Sequence, residues 1–127
     1  MATFDDVARI ALALPETDER VSREHRQWRV RDKLFVWERP LRRSDLAALG
    51  DAAPDGPILG ARVEHEGAKQ ALVQDPSGIY FTTPHFDGYP AILVQLDKIG
   101  VDELEEVVTE AWLCRAPPRV LKAYREG

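Results

Sequence analysis

Between Tyr80 and Leu96 the chain makes two incompatible demands on its backbone, and that stretch limits the possible folds more than any other. Ile79-Tyr80-Phe81 and Ala91-Ile92-Leu93-Val94-Gln95-Leu96 are β-rich runs. The nine residues between them, 82–90, carry Pro84, Gly88 and Pro90, which bend the backbone away from either strand. The stretch therefore reads as two strands joined by a long polar-aromatic loop, and a sheet must exist to hold them.

The rest of the chain supplies that sheet and its cover. Phe4, Val7, Ala8, Ala11 and Leu14 recur at helical spacing, with Thr3 as cap, Asp5 and Asp6 at the positive end of the dipole and Pro15 as stop. A polar connection follows. Trp28-Arg29-Val30-Arg31 and Leu34-Phe35-Val36-Trp37 then read as a hairpin about Arg31-Asp32-Lys33, with Trp28 and Trp37 filling core. A short capped helix is expected at 44–50, a strand at 58–63 and a helix at 64–74. A last long helix at 101–115 carries the stripe Val101, Leu104, Val107, Val108, Ala111 and Trp112; Asp102 and Glu105 resemble a capping box at its start. After Pro117-Pro118 a short closing helix is expected. Helix, strands with helical insertions, then helix predicts one α+β domain over residues 1–127, an antiparallel sheet packed on one side by helices.

Charge narrows the classes of partner. The whole chain carries −5, which argues against indiscriminate binding to nucleic acid. Yet residues 20–43 hold nine bases against three acids. Arg23, Arg26, Arg29, Arg31, Lys33, Arg39, Arg42 and Arg43 are accordingly candidate contacts to a phosphate backbone, the alternative being a solvated basic face neutralised elsewhere. No apolar run reaches the ~20 residues of a membrane span, and a single cysteine fits a reducing compartment. The expectation is a cytoplasmic protein, monomer or weak dimer, with no membrane partner.

No catalytic signature is present. The three histidines and Cys114 match no zinc spacing, and there is no nucleophile elbow or phosphate-cradling glycine loop. Cys114, inside the last long helix, reads as a small buried hydrophobe. Neither metal nor cofactor is expected. The 82–90 loop stands apart because it gathers Thr83, His85, Asp87 and Tyr89, joined by His25 from the basic segment, as a candidate ligand site. The competing reading makes Thr83 and Asp87 turn caps, with Phe86 and Tyr89 plugging the sheet edge.

The run Phe81-Thr82-Thr83-Pro84-His85-Phe86-Asp87-Gly88-Tyr89-Pro90-Ala91-Ile92-Leu93-Val94 resembles the hallmark of the MmcQ/YjbR-like family. Leu12-Ala13-Leu14-Pro15-Glu16, residues 25–35, and Ala111-Trp112 with Arg115-Ala116-Pro117 fit the same pattern in order. The resemblance implies a fold similar to that of type III secretion chaperones, hence a possible protein-interaction module. It also implies weak, salt-dependent DNA binding through hairpin wings, one of which would be 28–39. The chain departs from the family in having His25-Arg26 where His-Pro is frequent, and Arg31-Asp32 where a glycine pair is common.

Overall fold

The first helix starts where its cap requires. Thr3 Oγ1 accepts from the Asp6 backbone N–H while the Asp6 carboxylate accepts from the Thr3 N–H, and helix α1 runs Phe4–Leu12. Residues 1–126, described by the computed structural model, continue as β1 (Thr17–Ser22), β2 (His25–Val30), β3 (Lys33–Glu38), α2 (Arg43–Leu49), β4 (Ile58–Arg62), α3 (Glu66–Val73), β5 (Tyr80–Phe81), β6 (Ala91–Gln95), α4 (Val101–Arg115) and α5 (Pro118–Glu126). The six strands form one antiparallel sheet in the order β1-β2-β3-β4-β6-β5. The α+β class and the antiparallel sheet are as the sequence predicts.

One strand departs from expectation. The polar connection before Trp28 is β1 together with the start of β2. Strand β1 lies at the sheet edge with five of its six residues exposed, so no apolar period marks it. Its pairing with β2 supplies the hydrogen bonds regardless of side-chain polarity. The β1–β2 and β2–β3 connections are two-residue turns, and both central residues of each have positive φ: Arg23 52°, Glu24 69°, Arg31 48° and Asp32 70°. That is the type I′ geometry that matches strand twist, adopted here without glycine.

Side-chain alternation then builds two cores. Trp28, Val30, Leu59, Ala61, Ile92 and Val94 face α1 and α4, where Leu104, Val108 and Trp112 close the main core. On the other face Trp37, Ile58, Ala91 and Leu93 form a smaller cluster with Phe86. A bulge makes this division possible in β3. Trp28 pairs with Val36 but Arg29 with Leu34, so Phe35 is the extra residue. Phe35 and Val36 both serve the main core while Leu34 and Trp37 stay on the opposite face.

Two smaller expectations are corrected. Helix α4 has Gly100 as its cap, with no side-chain cap bond, so the capping box expected of Asp102 and Glu105 does not form, and Asp102 and Glu103 sit at the positive end of the dipole in the first turn. Cys114 is exposed, because Ala111 and Trp112 already point the helix stripe inward and residue 114 falls outside it. Partial desolvation by neighbouring atoms and the carboxylates of Glu110 and Glu64 push its thiol pKa up, away from thiolate chemistry. No helix among the described residues is long and apolar enough to cross a membrane.

Candidate functional site

The smaller core is the floor of a cleft. Trp37 of β3 pairs with Gly60 of β4, and a Cβ at Gly60 would lie 2.3 Å from Trp37 Cε2. Only glycine lets the indole lie flat across the neighbouring strand. Phe86 then packs against Trp37 at 6.4 Å between ring centroids.

Phe86 arrives from the 82–90 loop, whose first part is a 3-10 turn at Pro84–Phe86. Two cations from the rest of the fold hold this loop. The fully buried amine of Lys69 on α3 donates to the Phe86 and Tyr89 carbonyls at 2.6 and 3.0 Å. Arg62 at the end of β4 donates to the Pro90 carbonyl and to Tyr89 Oη, and its guanidinium lies 4.8 Å from the Tyr89 ring centroid. Gly88, at φ 76°, allows the reversal between Phe86 and Tyr89. The loop is thereby rigid, with His85 standing edge-on to Phe86 at 4.8 Å and both His85 and Tyr89 exposed.

A buried ion pair flanks it. Arg39, two residues beyond Trp37 on the same face, sends Nη1 to Asp45 Oδ2 at 3.0 Å and to the Pro40 carbonyl. Asp45 also accepts from the Arg42 backbone N–H at 2.8 Å. Burial raises the Asp45 pKa, but the Arg42 bond and the Arg39 charge outweigh it, and the carboxyl is held below its ordinary value. Thr83 approaches the same carboxylate, yet its buried hydroxyl completes no hydrogen bond; Arg39 Nη2 is likewise buried and without a partner. The Arg39 guanidinium stacks 5.2 Å from the Phe86 centroid.

Above these groups lies a cleft of about 800 Å³. Its charged lining is Arg23, Arg39 and Arg42 against one carboxylate, Glu38, with His25 and His85 beside them and Trp37, Phe86 and Tyr89 as aromatic wall. Glu38 is itself engaged, accepting from the Arg26 backbone N–H. The site is electropositive and aromatic, of a size that suits a small ligand.

The two candidate sets drawn from the sequence are thus partly merged and partly dispersed. Arg23, His25, Arg39 and Arg42 join His85 and Tyr89 on the cleft. Thr83 is buried beneath it, and Asp87 faces solvent without lining it. Alternation sends Arg26 to the opposite face, where it pairs with Glu19 and Asp5 and lies over Trp28. Arg31 at the hairpin tip pairs with Glu16 at 2.6 Å, and Arg29 donates to Gln27 and to the Asp32 carbonyl. Lys33 and Arg43 are exposed, and among the described residues neither has a carboxylate within 4.0 Å. Phe86 and Tyr89 do not plug the sheet edge, because β5 occupies it; Phe86 fills the face instead.

Lys69, Arg62 and Asp45 were not anticipated as supports, since each acts through residues distant in sequence. The role of Arg39 had a readable signal: period-two alternation from Trp37 carries residue 39 to the same face. Of the three histidines, His65 is the N-cap of α3, its Nδ1 accepting from Ala68 N–H at 3.0 Å. Among the described residues no group of three or more His, Cys, Asp or Glu is placed to hold a metal.

Comparison with known proteins adds relatives to this geometry. The YjbR family model matches residues 12–114. Uncharacterized proteins of Mycobacterium tuberculosis and Mycobacterium bovis are each 55% identical over 127 residues, covering 98% of this chain and 96% of the relative. A crystal structure of a Deinococcus radiodurans protein with a DUF419 domain superposes with a TM-score of 0.64 over 89% of this chain and 78% of that one, at 19% identity, which speaks for the fold alone.

Proposed function

The chain belongs to the YjbR family, and on that premise we propose that it is a non-enzymatic binding protein whose cleft takes a small organic anion. One observation carries this reading: two arginines without a carboxylate partner, Arg23 and Arg42, and two imidazoles line a cleft whose single carboxylate, Glu38, is already engaged, with Arg39 paired to Asp45 behind them. Arg23 and Arg42 are exposed, and among the described residues no acid lies within 4.0 Å of either. Guanidinium groups so placed suit the bidentate recognition of phosphate or carboxylate oxygens. Titration calorimetry at low ionic strength against phosphate, citrate and pyrophosphate tests it. Arg23→Glu and Arg42→Glu abolish the binding expected of the native chain; silence toward every anion ends the proposal.

A second reading, weak binding of duplex DNA through the basic segment, draws support from the exposed cations Arg23, Lys33, Arg42 and Arg43. It draws less from the hairpin itself, where Arg26 and Arg31 are paired with Glu19, Asp5 and Glu16. Arginines already paired neutralise fewer phosphates and so displace fewer of the counterions condensed on DNA. Electrophoretic mobility shifts over a salt series, with Arg29→Glu and Arg31→Glu, separate the two readings. Loss of DNA binding in those variants would favour the hairpin, since neither residue lines the cleft.

A further inference from the structure

Resting on the anion-binding reading, we propose that the cleft's ligand is a ring-bearing phosphate of nucleotide type, with its phosphate at Arg23 and Arg42 above Arg39 and its planar ring stacked on Tyr89 beside His85.

Two independent features point to such a ligand. The first is the phosphate end. Arg39 is 4% exposed, and its Nη2 has no hydrogen-bond partner although Nη1 is saturated by Asp45 and the Pro40 carbonyl. A buried guanidinium N–H with no acceptor is costly unless something else supplies one. Arg39 lies behind the part of the cleft where Arg23 and Arg42 are exposed, so an oxyanion arriving there meets two open guanidinium groups with the unpartnered Nη2 beneath them. Arg39 is balanced by Asp45 and Glu38 is already engaged, so Arg23 and Arg42 remain as two unpaired guanidinium groups, a match for the oxygens of a phosphate monoester.

The second is the ring end. Tyr89 leaves 42% of its surface exposed, yet it is not mobile decoration. Arg62 lies along its ring and binds its hydroxyl at 3.1 Å, while Lys69 fixes its carbonyl. An aromatic side chain held in place from below with its surface left open is a stacking platform whose entropic cost has already been met by the fold. His85, edge-on to Phe86 and exposed, also lines the cleft, so its imidazole can flank the stacked ring without sharing its plane. Base–aromatic stacking strengthens binding by roughly five- to a hundredfold per base, so a nucleotide binds tighter than phosphate alone.

Calorimetric titration of the full chain with adenosine monophosphate, phenyl phosphate, inorganic phosphate and adenosine reads each end separately. The expected order places adenosine monophosphate at least tenfold tighter than both inorganic phosphate and adenosine. Tyr89→Ala removes that tenfold gain, bringing adenosine monophosphate to the affinity of inorganic phosphate in the same variant, and Arg42→Glu abolishes binding of every phosphate. Equal affinity for phosphate and adenosine monophosphate, or a gain that survives in Tyr89→Ala, overturns the ring assignment and leaves the anion site standing. Phenyl phosphate matching adenosine monophosphate overturns the nucleotide class while retaining the ring. Phosphates that fail to bind, or bind Arg42→Glu equally well, overturn the anion site and this proposal together. A circular-dichroism melt of each variant confirms that it is folded before any loss is read.

Discussion

The Arg39 guanidinium meets the Asp45 carboxylate at 3.0 Å, with 5% and 1% of the two side chains exposed. At that burial neither charge is solvated if its partner is removed. Asp45→Ala therefore costs about 3–5 kcal/mol in urea unfolding, the usual penalty for stranding one buried charge. The double variant Arg39→Met with Asp45→Leu recovers much of that loss; additive effects of the two single changes would argue against direct coupling.

The same pair sets a pH dependence. The folded-state pKa of Asp45 lies below its ordinary value of 3.8, so its contribution to stability is present above that value and is lost as pH falls through the folded pKa. Between about pH 5 and pH 2 the unfolding free energy of the native chain should fall more steeply than that of Asp45→Asn. Parallel curves would show that the carboxylate is not linked to folding.

Tyr80 provides the alkaline counterpart. Burial and the hydrogen bond it donates to Glu103 hold its hydroxyl pKa far above the usual tyrosine range. The unfolded chain ionises this group first, so its stabilising effect is complete below about pH 10 and is lost as pH rises beyond it. Tyrosinate absorbance of the folded native chain and of Tyr80→Phe should superimpose up to about pH 11; a lower amplitude in the variant would place Tyr80 among the freely titrating tyrosines.

Gly60→Ala drives a methyl group into the Trp37 indole at 2.3 Å. Overpacking of this kind costs about 1–3 kcal/mol. Trp28 and Trp112 are fully buried in the main core, so the change in tryptophan emission reports Trp37 moving from its place on the cleft floor. Combining Gly60→Ala with Trp37→Leu should relieve the clash and give a non-additive gain.

Glu24→Gly is expected to stabilise. Glu24 holds φ at 69° in the β1–β2 turn, where a non-glycine residue costs about 1–2 kcal/mol. Glycine releases that cost, and a rise in melting temperature measures it. Glu24→Val, β-branched in the same conformation, moves the melting temperature the other way.

Lys69→Met leaves the Phe86 and Tyr89 carbonyls without their donor and costs about 1–3 kcal/mol. Its signature is local: amide hydrogen exchange should accelerate across residues 84–90 while β4 and β6 stay protected. Uniform acceleration would assign Lys69 to global stability instead of the loop.

Most of the elements were legible because their signals are local. Helical spacing from Phe4, the turn at Arg31-Asp32, the apolar run at 91–96 and the stripe from Val101 each declare themselves within a dozen residues. The strand Thr17–Ser22 did not, since an exposed edge strand carries no apolar period and exists only through its pairing with β2. The sequence by itself thus determined most of the helix and strand segments, that the chain is α+β, and that residues 20–43 are basic. Only the tertiary structure decided where that basicity is neutralised and where it is left open. Strand pairing places Glu16 and Glu19 against Arg31 and Arg26, while alternation carries Arg39 to the face where His25, Arg42, His85 and Tyr89 meet. The physical reason is range: backbone propensity is written in neighbouring residues, whereas a charge finds its partner across strands far apart in the chain.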